Sequence, residues 1–542
     1  MKKQILPLFI LSCLLLTTLI SHGYPGEVIR SLKTPGEYPT GLTFDGQHLW
    51  VADRYLDKLF CLDPVTGAVV RSVPSPGYWP VGLAWDGEYL WNADLQGGLP
   101  ESENYRAQVY KIDPVTGNIL HTIQSPAGFT GGLTWDGGYL WCTDGDTEEI
   151  IQFSPEDGTT IRSFSSPSVD PRGITWDGMY LWVADRITNE IYMLDPTAGS
   201  VLLITDTPGE FAMDMCHDGL SLWVIDDQDN QIYELKTRDE EKFIRYNERY
   251  SRVTYRHFTT NFGPGKILTS DVHLAVPENR DSQDIIGQIR YIPEPTSFVN
   301  DRWGQQTALY HLENIQAGER IEVKMITEVK TYAVRYFIFP DRVGGLDDIP
   351  ADIRSIYLED NEKYQIHHPV IQQALEEAVS TPENVYWTVR QIYRYIHTHM
   401  YYEMTGGWNT APTVLSRGNG SCSEYTFVFI SMCRAAGIPA RYVGSVVVRG
   451  DDTCMDDVFH RWVEVYMPGY GWIPVDPSGG DSDSPRNQAL GFGNLANRFL
   501  ITTQSGGGSE TMEWTYNSNE FRTTEPKTHV ATEHFGDWEK VK

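Results

Sequence analysis

The chain has 542 residues, of which 41% are hydrophobic and 21% are charged, and its formal net charge is −30. A chain of this length exceeds one ordinary hydrophobic core, so we expect two or three globular domains. The composition excludes a disordered polymer. The negative charge, with no basic stripe along the sequence, argues against a nucleic-acid or anionic-membrane partner.

The N-terminus has the pattern of a cleavable export signal. Lys2 and Lys3 precede an apolar run from Ile5 to Ile20, and small residues follow up to Gly23. The run is shorter than the ~20 residues that span a bilayer. Residues 1–23 therefore predict a signal peptide, and the mature chain is expected to be secreted, periplasmic or on the cell surface, without a stable membrane span. An uncleaved anchor helix is the alternative.

The cysteines of the mature chain are scattered rather than patterned. A disulfide scaffold would show dense cysteines in a short chain. No pair has zinc-ligand spacing, so neither a metal nor another cofactor is expected. The six cysteines are Cys61, Cys142, Cys216, Cys422, Cys433 and Cys454.

From residue 41 onward the sequence repeats a unit of about forty residues. Each unit contains an Asp-Gly turn, a Leu-Trp strand and two further strand patterns, which is typical of a propeller blade. We expect the recurrent aspartates to accept backbone N–H groups at turns and the tryptophans to pack between blades. The repeated tryptophans are Trp50, Trp91, Trp141, Trp182 and Trp223.

The ring of blades is expected to close through the N-terminal strand. Glu27–Lys33 matches the last strand of a blade but precedes the first complete unit, so residues 24–238 predict a five-bladed propeller. A sixth blade follows if Glu240–Val253 adds a degenerate one. The repeat resembles NHL-like propellers, which implies a protein or glycan ligand. The insertion Gln96–Ala107 is the candidate recognition loop.

Residues 239–360 predict a β-sandwich-like domain. Ile267–Val276 and Arg320–Val334 alternate apolar and polar residues between Pro and Gly turns. Helical spacing begins within residues 361–505, which we interpret as the catalytic core. Residues 506–542 are interpreted as a C-terminal tail that contains a strand-like piece, Thr511–Tyr516.

The core contains a cysteine at a predicted helix start. Ser421 or Ser423 can cap the helix, and Gly437 followed by Pro439 ends it. A helix N-terminus stabilises an anion, so Cys422 is favoured as a thiolate, the form of cysteine that attacks.

Two further side chains complete a thiol site. His460 opens an alternating strand, and Asp476 ends its hairpin partner with the same parity about the turn. The two residues are therefore expected to lie opposite each other or one diagonal step apart on one face of the sheet. We assign Cys422 as the nucleophile, His460 as the proton carrier and Asp476 as the residue that orients His460.

Four motifs in this region resemble those of the transglutaminase-like superfamily. They are Gly420-Ser-Cys-Ser-Glu424, Arg434-Ala-Ala-Gly-Ile-Pro-Ala-Arg441, His460-Arg-Trp-Val-Glu-Val465 and Gly471-Trp-Ile-Pro-Val-Asp-Pro477. The resemblance implies an α+β papain-like core that acts on amide bonds through a thioester, with Cys422, His460 and Asp476 at the catalytic positions. Members of the superfamily include crosslinkers, deamidases, peptidases and inactive proteins.

The fold class predicted is therefore multidomain, with a propeller, a β-sandwich-like region and a papain-like core. The function predicted is an exported thiol acyl-transfer enzyme on a protein or peptide substrate. The alternative is a non-catalytic binding or scaffold protein with a vestigial triad. A third interpretation, catalysis by the propeller itself, lacks a His and Arg cluster at the blade tops.

Overall fold

A computed structural model describes residues 23–95, 107–380, 384–404, 407–450 and 453–541. Almost all of the predicted signal peptide, residues 1–23, and of the predicted recognition loop, Gln96–Ala107, lies outside the described residues, and both stay predictions. Among the residues described, no helix is both long and apolar enough to cross a bilayer.

The N-terminal half folds into short antiparallel strands that follow the sequence repeat. Their bounds, in chain order, are β1 (Val28–Lys33), β2 (Pro39–Phe44), β3 (Leu49–Asp53), β4 (Lys58–Leu62), β5 (Val69–Pro74), β6 (Pro80–Trp85), β7 (Leu90–Asp94), β8 (Gln108–Ile112), β9 (Ile119–Gln124), β10 (Thr130–Trp135), β11 (Leu140–Asp144), β12 (Glu149–Phe153), β13 (Thr160–Ser165), β14 (Pro171–Trp176), β15 (Leu181–Asp185), β16 (Glu190–Leu194), β17 (Val201–Asp206), β18 (Ala212–His217), β19 (Ser221–Asp226) and β20 (Gln231–Lys236).

These strands form five four-stranded blades. Four blades are consecutive in sequence, and the fifth has the order β1-β20-β19-β18. Strand β1 pairs antiparallel with β20, with Leu32 opposite Ile232, so the N-terminal strand closes the ring as predicted. Residues 243–263 form a strand of the next domain instead of a degenerate blade. The described chain therefore has five blades and not six.

A buried tryptophan recurs in the second strand of every blade. Its indole N–H donates to a carboxylate five residues earlier, for example from Trp50 to Asp45 at 2.8 Å, and the other four blades repeat the bond. The aspartate at the end of the strand caps a turn, since Asp53 accepts the N–H groups of Tyr55 at 3.0 Å and Leu56 at 2.9 Å. In the described blades these bonds are structural.

One buried carboxyl group, that of Asp214, links three blades at the centre of the propeller. At the repeat position where the other innermost strands carry glycine, β18 carries Asp214. Its side chain is fully buried and accepts the backbone N–H groups of Leu42 at 2.8 Å and Leu83 at 3.2 Å. Asp214 thus joins the fifth blade to the first and second.

The C-terminal half begins with long strands and continues into helices around a smaller sheet. The strands are β21 (Phe243–Gly263), β22 (Ile267–Ala275), β23 (Gln283–Ile292), β24 (Ser297–Asn300), β25 (Gln306–Ile315), β26 (Arg320–Tyr336), β27 (Tyr401–Tyr402), β28 (Asn419–Gly420), β29 (Ala440–Val447), β30 (Cys454–Asp456), β31 (His460–Met467), β32 (Gly471–Val475), β33 (Asn494–Leu495), β34 (Phe499–Ser505), β35 (Ser518–Thr524) and β36 (His529–Lys540). The helices are α1 (Ala351–Tyr357), α2 (Pro369–Ala378), α3 (Val385–His399), α4 (Ala411–Arg417), α5 (Cys422–Ala435) and α6 (Pro485–Leu490), with 3₁₀ turns at Pro340–Arg342 and Leu346–Asp348.

The middle region is a two-sheet sandwich. One sheet has the order β23-β26-β21-β36-β30, with β33 also pairing β26, and the other has the order β24-β25-β22-β35. The segment predicted as a tail, residues 506–542, supplies β35 to one sheet and β36 to the other. Alternating burial along β21 and β26 shows why these residues form strands, since every second side chain faces the sandwich core.

In the predicted catalytic core, residues 361–505, helices pack around the sheet β32-β31-β29-β34. Helix α5 packs against β31, and α2, α3 and α4 pack around α5. The apolar spacing that predicts α5 is matched by complete burial of Tyr425, Val428, Phe429 and Met432. Gly437, with φ 79°, follows the helix end as predicted.

The propeller and the core meet along one blade edge. The outer strand of the fourth blade, β17, is buried over its first five residues, whereas the outer strands of the other blades are mostly exposed. Helix α6 lies against it, and Arg486 of α6 donates to Glu190 at 2.6 Å. Arg335 of β26 pairs with Asp206 at 2.9 Å. The propeller is therefore attached edge-on.

We expect Asp214→Ala to destabilise the protein by about 1–3 kcal/mol or more, because it leaves buried N–H groups of two blades without an acceptor. Urea unfolding followed by tryptophan fluorescence measures the change. Asp63→Ala is the matched control, since Asp63 also accepts backbone N–H groups but lies in an exposed turn. Equal losses for the two variants would contradict the central role of Asp214.

Candidate active site

Cys422 is the first residue of α5, and Ser421 is its N-cap residue. Glu424, in the first turn, accepts the Ser421 backbone N–H at 3.2 Å, which is one half of a capping box. The Cys422 N–H has no acceptor inside the helix because the first four N–H groups of any helix lack one. The sulfur therefore lies at the positive end of the helix dipole.

His460 and Asp476 are placed by one hairpin. His460 is the first residue of β31, and Asp476 follows the last residue of β32. Val463 lies opposite Val475, so the register continues with Asp476 beside Trp462, two residues from His460 on the same face. The distance from His460 Nε2 to Asp476 Oδ2 is 2.7 Å. Of the two arrangements expected from the sequence, the structure has the diagonal one.

The turn after β32 fixes the carboxylate. Oδ1 of Asp476 accepts the Gly479 N–H at 2.8 Å and the Ser478 hydroxyl at 2.9 Å, which leaves Oδ2 for His460. Because Nε2 of His460 is engaged, Nδ1 is the ring nitrogen left for the Cys422 thiol, and the two groups are close enough to shift each other's pKa. The structure thus brings the three predicted side chains together.

The three side chains of this group are partly exposed to solvent. The side chains of His460 and Asp476 are 19% and 20% exposed, and Cys422 is half-buried. The site is therefore sheltered enough to strengthen electrostatic interactions, while each of the three side chains keeps some contact with solvent.

The electrostatics favour a charged sulfur and a charged ring. Burial acts to raise the pKa of Cys422, but the hydrogen bond and charge of His460 lower it below the ordinary value of a thiol. Burial acts to lower the pKa of His460, but the charge of Asp476 and its hydrogen bond raise it. Burial acts to raise the pKa of Asp476, but the charge and hydrogen bond of His460, together with the hydrogen bonds from Gly479 and Ser478, lower it. Both shifts favour the charged forms, a thiolate on Cys422 and an imidazolium on His460, over the neutral pair.

The pKa values of the other buried cysteines are shifted in the opposite direction. Burial raises the pKa of Cys61 to about 11, and it also raises the pKa values of the Cys142, Cys216 and Cys433 thiols. All the described cysteines are free thiols. Position at the helix start beside His460 distinguishes Cys422 from these four.

Two neighbours of the thiol escaped the sequence analysis. Arg461 is fully buried next to His460, and its charge lowers the pKa of Cys422. Burial and the charge of Cys422 raise the pKa of Tyr516. Of these two residues, Arg461 could have been noticed in the sequence, because it is a charged residue between His460 and Trp462 in a predicted strand. Tyr516 offered no such signal, since residues 511–514, predicted as part of a strand, form turns.

Trp408 borders the same region. Its ring centre lies 6.2 Å from that of Tyr516 and 4.9 Å from the Arg461 guanidinium. Lys363 donates to its backbone carbonyl at 2.7 Å. The sequence suggests Trp408 as a wall of the acyl pocket, and its role stays a prediction.

The loop before His460 contains four aspartates, Asp451, Asp452, Asp456 and Asp457, a pattern that predicts a solvated loop, with a calcium site as the alternative. Two of its aspartates, Asp451 and Asp452, lie outside the described residues. Asp456 is buried and already accepts the Val447 N–H at 2.7 Å and Arg449 Nε at 3.0 Å. Its carboxylate is therefore used inside the protein.

One group of metal-type ligands occurs among the described residues, at Asp45, His48 and Cys61 in the first blade, with ligand atoms within 4.8 Å of one another. Asp45 is occupied by the Trp50 indole and by the His48 backbone N–H at 2.6 Å. Burial raises the pKa of Cys61 to about 11, so the group is a thiol and a poor ligand. These contacts account for the cluster without a metal.

Comparison with known proteins supports the assignment of the core. Residues 372–477 match the family model described as the Transglutaminase-like superfamily, and this segment contains all three site residues. The match confirms the resemblance inferred from the four motifs. No curated protein matches the chain.

Several solved structures are similar to parts of the chain. One is a candidate cysteine protease from Cytophaga hutchinsonii, at 16% identity over 55% of this chain and 100% of that chain, with a TM-score of 0.39. Another is glutaminyl cyclase from Myxococcus xanthus, at 16% identity over 39% and 97%, with a TM-score of 0.34. A third is virginiamycin B lyase from Staphylococcus aureus, at 19% identity over 38% and 68%, with a TM-score of 0.26.

Replacing Asp476 with Asn removes the counter-charge of His460, so the imidazolium is less favoured and the pKa of Cys422 rises. We expect the midpoint of iodoacetamide alkylation to move up by about one pH unit, which corresponds to about 1.4 kcal/mol. Alkylation of Cys422 followed by mass spectrometry across pH measures it. Asp457→Asn, in an exposed position of the nearby loop, is the control and should leave the midpoint unchanged.

Proposed function

We propose that this protein is a thiol-dependent acyl-transfer enzyme that acts on amide bonds, with the propeller as its binding module. The observation that carries the proposal is the 2.7 Å contact between His460 and Asp476 beside a cysteine at a helix start. The same residues lie inside the segment that matches the transglutaminase-like superfamily.

The first half of the reaction follows from the charge state of the site. The Cys422 thiolate attacks the carbonyl carbon of an amide and forms a tetrahedral intermediate. His460 gives its proton to the leaving nitrogen, the C–N bond breaks, and a thioester remains on Cys422. Asp476 keeps the imidazole oriented and stabilises its charged form.

The oxyanion that forms in this step needs donors beside the sulfur. The backbone N–H of Cys422 is the first candidate, because it belongs to the open N-terminus of α5. Loss of one such donor reduces the rate by ~10²-fold or more in other enzymes.

The second half of the reaction decides the product. An amine or a water molecule attacks the thioester carbonyl carbon, His460 removes its proton, and the C–S bond breaks. An amine gives a crosslink, whereas water gives deamidation when the substrate is a glutamine side chain and peptide cleavage when it is a backbone amide. Transglutaminase, deamidase and peptidase reactions can all proceed from the same thioester on Cys422.

Incubation of the protein with a glutamine-rich protein and a labelled amine tests the proposal. Mass spectrometry distinguishes an amide-linked, a deamidated and a cut product. We expect Cys422→Ala to abolish product formation while circular dichroism stays unchanged, because the nucleophile is lost. Cys454→Ala, which removes another half-buried thiol, should retain activity. No turnover by wild type on any amide, together with an unreactive Cys422, would favour the scaffold alternative.

The propeller is proposed to hold the protein substrate. The loops that lead into the innermost strands of four blades present an aromatic side chain at the same repeat position, namely Tyr38, Trp79, Phe129 and Phe211. The Arg54 guanidinium lies 5.5 Å from the ring centres of both Tyr38 and Trp79. Tyr, Trp and Arg are enriched where proteins bind partners.

We expect the double variant Tyr38→Ala, Trp79→Ala to lower kcat/KM for a protein substrate by about tenfold, since hot-spot aromatics contribute more than about 1 kcal/mol each. A short glutamine peptide should react as in wild type, because it does not span both sites. The double variant Val69→Ala, Val70→Ala, exposed on the outer strand β5, is the control. Equal losses of kcat/KM for the peptide and the protein substrate would contradict the docking role of the propeller.

A further inference from the structure

Arg461 is a buried cation without a carboxylate partner among the described residues. Its side chain is fully buried, and one of its donors, Nη2, bonds the backbone carbonyl of Trp514. Its Nε and Nη1 have no hydrogen-bond partner. An uncompensated charge inside a protein lowers its stability, which points to a role of Arg461 that offsets this loss.

The guanidinium lies in a cage of aromatic rings. Its carbon is 4.4 Å from the ring centres of both Tyr442 and Tyr516, 4.9 Å from that of Trp408 and 5.3 Å from that of Phe427. Ring faces attract a cation but carry no net negative charge. The cage therefore holds the arginine in place and leaves its charge unneutralised.

Other buried arginines in this domain are satisfied differently. Arg441 pairs with Glu464 at 2.7 Å. Arg434 donates to the backbone carbonyls of Ala440 and Gly506, at 2.7 Å and 2.6 Å through Nη2. Arg461 is unlike both, because neither a carboxylate nor a set of carbonyls surrounds it.

The anion available to Arg461 is the sulfur of Cys422. The caged guanidinium lies 5.3 Å from the ring centre of Phe427 in α5, the helix that begins at Cys422, and its positive charge lowers the pKa of that thiol. Arg461 follows His460 directly in β31, so the strand that supplies the imidazole also supplies the second cation. His460 shares its charge with Asp476, whereas Arg461 shares its charge with no described carboxylate.

We propose that Arg461 is a positioning residue whose caged guanidinium is the second positive charge that balances the Cys422 thiolate. The inference rests on the proposed function, because it assumes that Cys422 works as an anion. Its tests record thiol chemistry rather than turnover. A failure of amide turnover with a normal thiol titration would therefore reject the proposed function alone.

The first test is the pH dependence of Cys422 alkylation in Arg461→Met and Arg461→Lys. We expect the Met variant to shift the midpoint up by about one pH unit, which leaves about tenfold less thiolate below the midpoint. The Lys variant, which keeps the charge, should restore at least half of the shift. Arg441→Met is the control for loss of a buried cation and should change thermal stability without moving the midpoint. An unchanged midpoint in a folded Arg461→Met protein would overturn the proposal.

A second test does not require Arg461 to be replaced. In His460→Gln the imidazolium is absent, and Asp476 should repel an anionic reagent. If Arg461 acts on the thiolate, Cys422 of this variant still shows a higher ratio of iodoacetate to iodoacetamide reaction rates than free glutathione does. A ratio equal to or below that of glutathione would show that no uncompensated cation acts on the sulfur, and would reject the proposal.

Discussion

The site depends on one antiparallel register, that of β31 and β32. With Val463 opposite Val475, the side chains of His460 and Asp476 share a face and meet at 2.7 Å. A slip of one residue would move every side chain of one strand to the other face, and the carboxylate would leave the imidazole. Burial of Val463, Val475 and their neighbours sets the register, so the packing of the sheet determines the chemistry.

The third side chain comes from a separate element that is also fixed by packing. Helix α5 is buried almost throughout, and Arg434 near its end bonds the carbonyls of Ala440 and Gly506. The helix cannot rotate or slide without breaking these contacts, so the sulfur stays beside the ring. Three sources of positive potential meet at Cys422, namely the helix N-terminus, His460 and Arg461.

Local patterns in the sequence predicted the elements that are local in the structure. The Trp repeat and the strand pattern of Glu27–Lys33 predicted five blades and their closure, and the patterns around Cys422, His460 and Asp476 predicted the helix start, the hairpin and a His–Asp pair on one face of the sheet, either opposite or one diagonal step apart. What they did not predict are pairings between distant segments. Residues 506–542 were interpreted as a tail, yet β35 and β36 pair with β22 and β21, and no short-range periodicity encodes such a partner. The alternative of a sixth blade arose for the same reason, because a strand pattern in the sequence does not indicate which sheet the strand joins.

The C-terminal segment, residues 506–542, connects the sandwich to the residues around Cys422. Between β34 of the core sheet and β35 of the sandwich, the chain places the Trp514 carbonyl on Arg461 and the Tyr516 ring against its guanidinium. Strand β36 then pairs with β30, just before His460. The sandwich therefore holds the residues that surround the thiol and does more than separate the propeller from the core. Helix α6 connects Asp476 to blade four, because the Asp476 N–H bonds the carbonyl of Gly491, the residue after α6, at 2.7 Å and Arg486 of α6 bonds Glu190. The electrostatic environment of one sulfur thus depends on contacts from all three domains, which gives a physical reason for their presence in one chain.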